Sequence, residues 1–455
     1  MSNLGPILYP PTLDYNYLVQ RPQQLTKSFA ELGFPVYWEN RPSPHNSQIA
    51  AITEVIPNFF LFNNVDPRPF LENIRPVVYY SATSQVDELK KYNPSLVVFD
   101  SVDEPSDEFE SWRPYYQRAV SSADLVITTS SKLHSMALAL NPYSYMVPNG
   151  CDYDYFATAR SGTLPVPEDI AAIPGPIIGY IGVVATWLDY ELIDRLAQAY
   201  PDCNIVMIGP LYNVTDVPRR PNIHYLGFKA YEELAAYAQV FRVGIIPFKL
   251  SSMIESVNPI KMWEYMAAGI PIVSTNLPET EKFSDVVHVS VTHDDFIANI
   301  HRALYADTDE LRDKRLAIAA ENSWLSRARQ IIALMEERLA EKGISEVHAP
   351  VSPPNLMYTP ANPLSPPKII LRHLSDEENT TASYAQMPIQ VSISGNSRVV
   401  VVVRGRGLRL RVRDNNNITA GLIMDGNVGE IKPGIRVSKK SFLFRTARAV
   451  QRSFR

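Results

Sequence analysis

The chain has 455 residues, 45% hydrophobic and 20% charged, enough for two ordinary domains with buried cores and something extra. Its two cysteines, Cys151 and Cys203, lie far apart without a CxxC, and no Cys/His cluster has zinc spacing, so neither a disulfide framework nor a structural metal is expected. The net charge of -5 hides an asymmetry: residues 396–455 hold 14 Lys and Arg against 3 Asp and Glu, so the basic end has its own job or its own partner.

The opening MSNLGPILYPPTLDYNYLVQRP has neither a basic n-region nor an apolar h-region, and no apolar run of about 18 residues follows. A cytoplasmic setting is the expectation. Up to about residue 340, short β-branched or aromatic runs alternate with segments of helical period, the pattern of βαβ units around parallel sheets. The predicted strands are 34–40, 76–81, 95–101, 124–130, 176–182, 203–209, 243–248 and 271–275, with helices over 21–33, 190–201 and 230–239. An Ala/Pro/Gly-rich stretch at 157–176 reads as an interdomain linker, and a strongly helical run over 323–343 ends at Gly343.

This gives domains over 1–165 and 166–345. Residues 346–395 are Pro-rich and polar and read as a disordered tether. Residues 396–455 begin with β-branched and alternating Arg text that fits a small antiparallel element closed by the turns of DGNVGEIKPG. The last stretch, RVSKKSFLFRTARAVQRSFR, mixes Phe and Leu with basic residues, which suits an anionic membrane surface, with a plain disordered basic tail or a nucleic-acid contact as the alternative.

The chemistry is expected in ESVNPIKMWEYMAAGIPIVST, residues 255–275. Asn258 is a good N-cap and Pro259 a good N1 residue, so a helix should start here and run to Gly269. Free amides and the helix dipole make its first turn an anion site, and Lys261 adds a cation. Glu264, one turn deeper, can accept two hydrogen bonds from a sugar diol. On these two residues alone, an exposed i,i+3 pair worth a few tenths of a kcal/mol is an equally good account.

The surrounding SVNPIKMWEYMAAGIPIVSTNLPE resembles the donor-nucleotide segment of the GT-B glycosyltransferases, in the family-4-like group that carries N-P-x-K-x-x-E-Y-x-A-x-G-x-P-V-V. The resemblance implies that Lys261 contacts the donor pyrophosphate and Glu264 the ribose. Three further stretches, 121–156, 175–210 and 222–248, are similar to the end of the first GT-B domain and to successive units of the second. They add Gly182, in the first glycine loop of the second domain, and the Gly227-Phe228 turn, whose backbone usually holds the nucleobase. Two departures stand out. The glutamate that many relatives place by the donor sugar is Ser256 here, with Glu255 beside it, and the Arg and Lys usual after the first glycine loop are replaced in GVVATWLD. Both direct the likeness toward teichuronic-acid-type and glucuronosyl transferases.

On the acceptor side, VVFDSVDEPSDEF ends a strand and offers Asp100 and Asp103 as general-base candidates, with Asp103 leading. Solvated or capping acids are the plain alternative. Arg21 and Gln24, at a helix entry after the first strand, could meet a phosphate or a sugar, although a first-turn Arg also serves as a structural donor. The D-x-D at Asp152–Asp154 is discounted as a metal site, because Lys261 and helix amides can replace the metal's charge.

The expectation is therefore an α/β GT-B fold, two doubly wound Rossmann-like domains facing a cleft. Its implied activity is metal-independent, hexosyltransferase-type transfer of a sugar from a nucleotide diphosphate sugar, most simply UDP-linked, to a saccharide or lipid-linked acceptor. The donor is a co-substrate and no cofactor or nucleic acid is expected. A peripheral position on the inner face of the cell membrane goes with the basic tail. A non-catalytic nucleotide-sugar-binding protein and a sugar-nucleotide epimerase on the same fold are the rivals.

Overall fold

The computed structural model describes residues 4–41, 51–71 and 74–344, together with five strand segments between 390 and 430. In the first domain β1 (Ile7–Tyr9), β2 (Val36–Asn40), β3 (Ala51–Ile56), β4 (Phe59–Asn63), β5 (Val77–Tyr80), β6 (Leu96–Ser101), β7 (Leu125–Thr128) and β8 (Ser144–Met146) form one sheet. Its order is β3-β4-β2-β1-β5-β6-β7-β8, parallel throughout except for the β3–β4 pair. The second sheet holds β9 (Ile177–Ile181), β10 (Asn204–Ile208), β11 (Ile223–Gly227), β12 (Phe241–Ile246), β13 (Ile272–Thr275) and β14 (Val287–Ser290). It is parallel throughout, in the order β11-β10-β9-β12-β13-β14. Runs such as VVYY and IIGYI are fully buried because helices cover both faces of these sheets.

The last helix, Trp324–Glu341, does not stay with the second domain. Its Trp324, Ala328, Ile331, Met335 and Leu339 join Leu25 and Phe29 in the core of the first sheet. Conversely, Ala159 and Ile170, in the stretch expected to be a linker, and Phe156 just before it are buried in the second core. The chain thus leaves the first domain at 148–151, not at 157–176, and returns at 322–324. A Pro- and Gly-rich text marks irregular backbone, and here that backbone is packed against the second sheet.

The two crossings lie side by side. Cys151 N–H donates to Asn322 O at 3.3 Å and Trp324 N–H to Cys151 O at 2.9 Å. Gly150 is needed for this approach, since a Cβ on it would stand 2.5 Å from Asn322 O.

Residues 359–455 form a separate unit. Its described strands are β15 (Gln390–Ser392), β16 (Val400–Val402), β17 (Arg411–Arg413), β18 (Gly421–Met424) and β19 (Asn427–Glu430). β18 and β19 pair antiparallel, with β19 inside the stretch expected to be turns, and β15–β17 and β16–β18 pair in parallel, because alternation specifies a strand and not its neighbour's direction. Most of the predicted tether and the basic stretch 436–455 lie outside the described residues. Among the described residues no helix is long and apolar enough to cross a membrane.

Gly150→Ala is expected to lower the unfolding free energy by about 1–3 kcal/mol, the usual range for forcing a group into a packed contact. Urea unfolding monitored by fluorescence measures it, and an unchanged midpoint would mean that the crossing strands can separate freely.

Candidate active site

On the second domain, β9 runs out at Ile181 and Gly182 turns the chain with φ +145°. This backbone region is open to glycine, and a Cβ there would also stand 3.1 Å from Lys261 Cε. The glycine therefore leaves the space through which Lys261 reaches.

Lys261 is the second residue of the helix Ile260–Ala267. Its ammonium lies 4.6 Å from the Phe248 ring centroid and 5.3 Å from that of Tyr180. No carboxylate or carbonyl among the described residues pairs with it. Burial pulls it down to about 8, with Glu264 opposing the fall. The ring faces hold the cation in place and leave its hydrogen-bonding capacity for another anion.

The i,i+3 partner is no surface ion pair. Glu264 is 6% exposed, and burial pushes its carboxyl up to about 7, against the pull of Lys261 and with Asp152 adding to the rise. No described residue donates a hydrogen bond to that carboxylate. Asp152 itself caps Tyr155 N–H at 3.3 Å and stands 3.6 Å from Lys27 Nζ.

Asn258 is not the N-cap. Pro259 takes that position with φ -75° and ψ 117°, since the ring of proline favours extended backbone just outside the helix as readily as helical backbone inside it. The Asn258 side chain instead joins the domains. Its Oδ1 accepts from Trp263 Nε1 at 2.9 Å and from Asn149 N–H at 3.2 Å, and its Nδ2 donates to Glu279 at 3.3 Å.

Ser256 is fully buried, with its hydroxyl donating to Met253 O at 2.7 Å, so it faces its own turn. Gly227 ends β11 with φ +70°, and Phe228 after it is 46% exposed.

On the first domain, Arg21 and Asp100 are directed at each other. Arg21 Nε donates to Asp100 Oδ2 at 2.8 Å, and its Nη1 donates to Pro148 O and Asn149 Oδ1. Both side chains are buried, so Arg21 is a structural donor at the domain crossing and Asp100 its counter-ion, not a free base. Gln24 is 7% exposed on the same helix, Arg21–Glu31, with its backbone N–H bonded to Gln20 O.

Asp103 differs from Asp100. It is half-buried on the loop after β6, and no described residue donates a hydrogen bond to its carboxylate. Burial, with the neighbouring Asp100, pushes it up to about 7.

A cross-domain network ties this loop to the second domain, and no local pattern in the sequence announces it. Lys132 Nζ donates to Ser252 O at 2.8 Å and pairs with Glu104 and Glu255 at 2.8 and 3.2 Å. Asp107 accepts from Ser251 Oγ at 3.0 Å, Ser252 Oγ donates to Glu104 at 2.8 Å, and Thr186 bonds Glu108. The loop carrying Asp103 is thus held against the turn that precedes the Lys261 helix.

Comparison with known proteins bears on the fold and the family. Residues 175–307 match the family described as glycosyl transferases group 1. TuaH of Bacillus subtilis (strain 168), described as a teichuronic acid biosynthesis glycosyltransferase, is 31% identical over 229 residues, which is 47% of this chain and 57% of that protein. The chain spans little more than half the length of this relative.

Among solved structures, sucrose-phosphate synthase from Thermosynechococcus elongatus superposes with a TM-score of 0.55 at 16% identity, covering 74% of this chain and 100% of that one. An α,α-trehalose 6-phosphate synthase from Burkholderia multivorans gives 0.55 at 12%, covering 75% and 100%. HepE of Anabaena, in complex with UDP and glucose, gives 0.53 at 13%, covering 74% and 99%. The fold is GT-B.

Asp103 and Glu264 are both raised, so between about pH 4 and 7 the native state binds more protons than the unfolded chain. Stability is lost as pH rises through that window. Asp103→Asn and Glu264→Gln are each expected to raise Tm at pH 8 relative to wild type, with no matching gain at pH 4. Thermal unfolding at the two pH values checks this, and equal shifts at both would rule out the buried charge as the cause.

Proposed function

We propose that this protein is a glycosyltransferase that moves a sugar from a nucleoside diphosphate sugar, most simply UDP-linked, to a saccharide hydroxyl. The observation that carries the reading is Lys261, an ammonium held over two ring faces at the first turn of a helix, with Glu264 as its electrostatic neighbour and no hydrogen-bonded or ion-pair partner among the described residues. It meets the diphosphate, Glu264 takes the ribose diol, and the Gly227-Phe228 turn lies at the nucleobase end.

The reaction then divides between the domains. The acceptor hydroxyl gives its proton to Asp103 as its oxygen bonds to the sugar's anomeric carbon, and the bond from that carbon to the diphosphate breaks. The leaving diphosphate takes the electron pair, and Lys261 with the helix amides stabilises its charge without a metal. Direct attack of this kind inverts the anomeric centre. The acidic loop 103–110, fastened to the second domain through Lys132, sets where Asp103 stands.

The reading is tested by release of nucleoside diphosphate from UDP-, GDP- and dTDP-sugars, with EDTA present and with saccharide or membrane extracts as acceptor. One donor should be turned over, and Lys261→Ala should lower the rate by about a hundred-fold or more, the cost of removing one preorganised charge stabiliser. Donor binding without release under all these conditions favours the non-catalytic rival.

For kcat/KM the free-enzyme groups decide the pH profile. Activity should rise through about pH 7 as Asp103 and Glu264 ionise and fall above about 8 as Lys261 loses its proton. Lys261→Arg keeps its charge at every accessible pH, so any activity it retains should lack the alkaline fall; a fall that persists would assign that limb to another group.

A lipid-linked acceptor and a peripheral position at the membrane belong to the same proposal, supported by the Phe-rich basic composition of residues 436–455. Co-sedimentation with phosphatidylglycerol vesicles, lost on removing those residues, is the expected result.

A further inference from the structure

Two exposed aromatic rings meet across the cleft. Tyr17 belongs to the loop after β1 in the first domain, and Phe228 follows β11 in the second. Their planes are within 6° of parallel and their centroids 5.9 Å apart. They nevertheless remain 56% and 46% exposed, so each keeps much of its ring in water.

Neither ring sits on a loose tip. Tyr17 N–H donates to Asp14 O at 3.3 Å, Tyr15 N–H to Asn40 Oδ1 at 2.8 Å, and Gln23 Nε2 holds Leu18 O at 2.8 Å. Phe228 is aimed by Gly227, whose φ of +70° turns the chain as it leaves the sheet. A stiff loop that presents an apolar ring to solvent loses the free energy its burial would return, and the pairing across the cleft recovers only part of it.

Their position relative to Lys261 gives the pair a use. β11 is two strands from β9, roughly 10 Å along the sheet edge. A nucleotide with its diphosphate at Lys261 and its ribose at Glu264 extends its base over that distance, toward Phe228. We propose that the nucleobase of the donor is sandwiched between Phe228 and Tyr17, so that the first domain supplies one face of a site otherwise built on the second. Two ring-to-ring contacts of about 3.5 Å need the ring planes about 7 Å apart, more than the 5.9 Å between the centroids. An opening of the cleft supplies the difference. Because a base has an apolar face whatever its edge, this contact grips the nucleotide without choosing the base. It also couples donor binding to the approach of the two domains. The inference rests on the donor site proposed at Lys261 and Glu264.

The test is calorimetric titration of the full chain with UDP, GDP and dTDP, and separately with inorganic pyrophosphate, for wild type, Tyr17→Ala, Tyr17→Phe and Phe228→Ala. The expected result is that both alanine variants bind the preferred nucleotide about ten-fold or more weakly, as loss of base stacking does. Pyrophosphate binding should stay unchanged in them, and Tyr17→Phe should match wild type. Undiminished nucleotide affinity in Tyr17→Ala overturns the sandwich while leaving the donor site in place. Equal losses for nucleotide and pyrophosphate also overturn it, because they make Tyr17 a structural residue. Failure of wild type to bind any of these probes overturns the donor site itself, and the sandwich with it.

Discussion

The relation between the two sheets depends on one buried asparagine. Asn149 uses all four of its polar groups at the domain crossing. Its N–H and Nδ2 donate to Asn258 Oδ1 and O, at 3.2 and 2.6 Å. Its Oδ1 accepts from Arg21 at 3.2 Å, and its carbonyl from Arg327 at 3.2 Å. Each partner belongs to a different part of the fold: the turn before the Lys261 helix, the first helix of the chain, and the last. The first sheet joins through Asp100, the counter-ion of Arg21. With all four polar groups of Asn149 paired, the crossing favours one geometry, because a displacement leaves those groups without partners in a dry interior, where Arg21 Nη2 and Asp100 Oδ1 already lack one among the described residues. The donor helix is thereby fixed relative to the first domain although the two are separated by more than a hundred residues of chain.

Beside that network, three titratable groups of the cleft stand out. Lys261, Glu264 and Asp103 all carry charges that burial opposes, and each is shifted toward neutrality near pH 7 to 8. Structural acids and bases elsewhere in the chain, such as Arg220 with Asp194 or Arg315 with Asp307, are paired at 2.6 Å. Departures from local consistency tend to concentrate at functional sites. In the proposed reaction, the diphosphate, the ribose diol and the acceptor hydroxyl are the partners of those three groups.

Much of the fold was legible because buried parallel strands write themselves as unbroken apolar runs: PVVYYS and PIIGYIG needed no long-range information. The Lys261 helix was legible for the same local reason, with Gly269 at its stop. The β3–β4 pair was missed because ITEVI and FFLFN are short and their partner relation is set by the sheet. The chain crossing was misplaced by about ten residues because composition reports irregular backbone and says nothing about which core covers it. Among site residues, Asp103 and Asp100 read alike in the sequence, three positions apart at the end of one strand. Only the guanidinium of Arg21, brought in from 79 residues earlier, tells them apart. Lys132, Tyr17 and Asn258's bridging role share that character: each acts through a partner on the other domain, which no window of sequence contains.

The departure at Ser256 gains its meaning from the same cross-domain contacts. Where the resemblance leads one to expect a carboxylate beside the donor sugar, a serine closes on its own turn, and Glu255 points away to Lys132. Lys132 also meets Glu104, so one lysine draws an acidic loop of the first domain onto the second. That loop holds Asp103, Glu104, Asp107, Glu108 and Glu110, and without a cation and the Ser251 and Ser252 hydroxyls its charges would repel one another away from the cleft. Glu255, next to Ser256, instead helps Lys132 fasten the loop 103–110. What that fastening positions is Asp103, a carboxyl with no hydrogen-bond donor among the described residues, on the side where the proposed reaction places the acceptor. In the proposed reaction, a carboxylate on the opposite domain rather than in the turn beside the donor sugar suits proton removal from an incoming hydroxyl, and the proposal is accordingly direct displacement at the anomeric carbon.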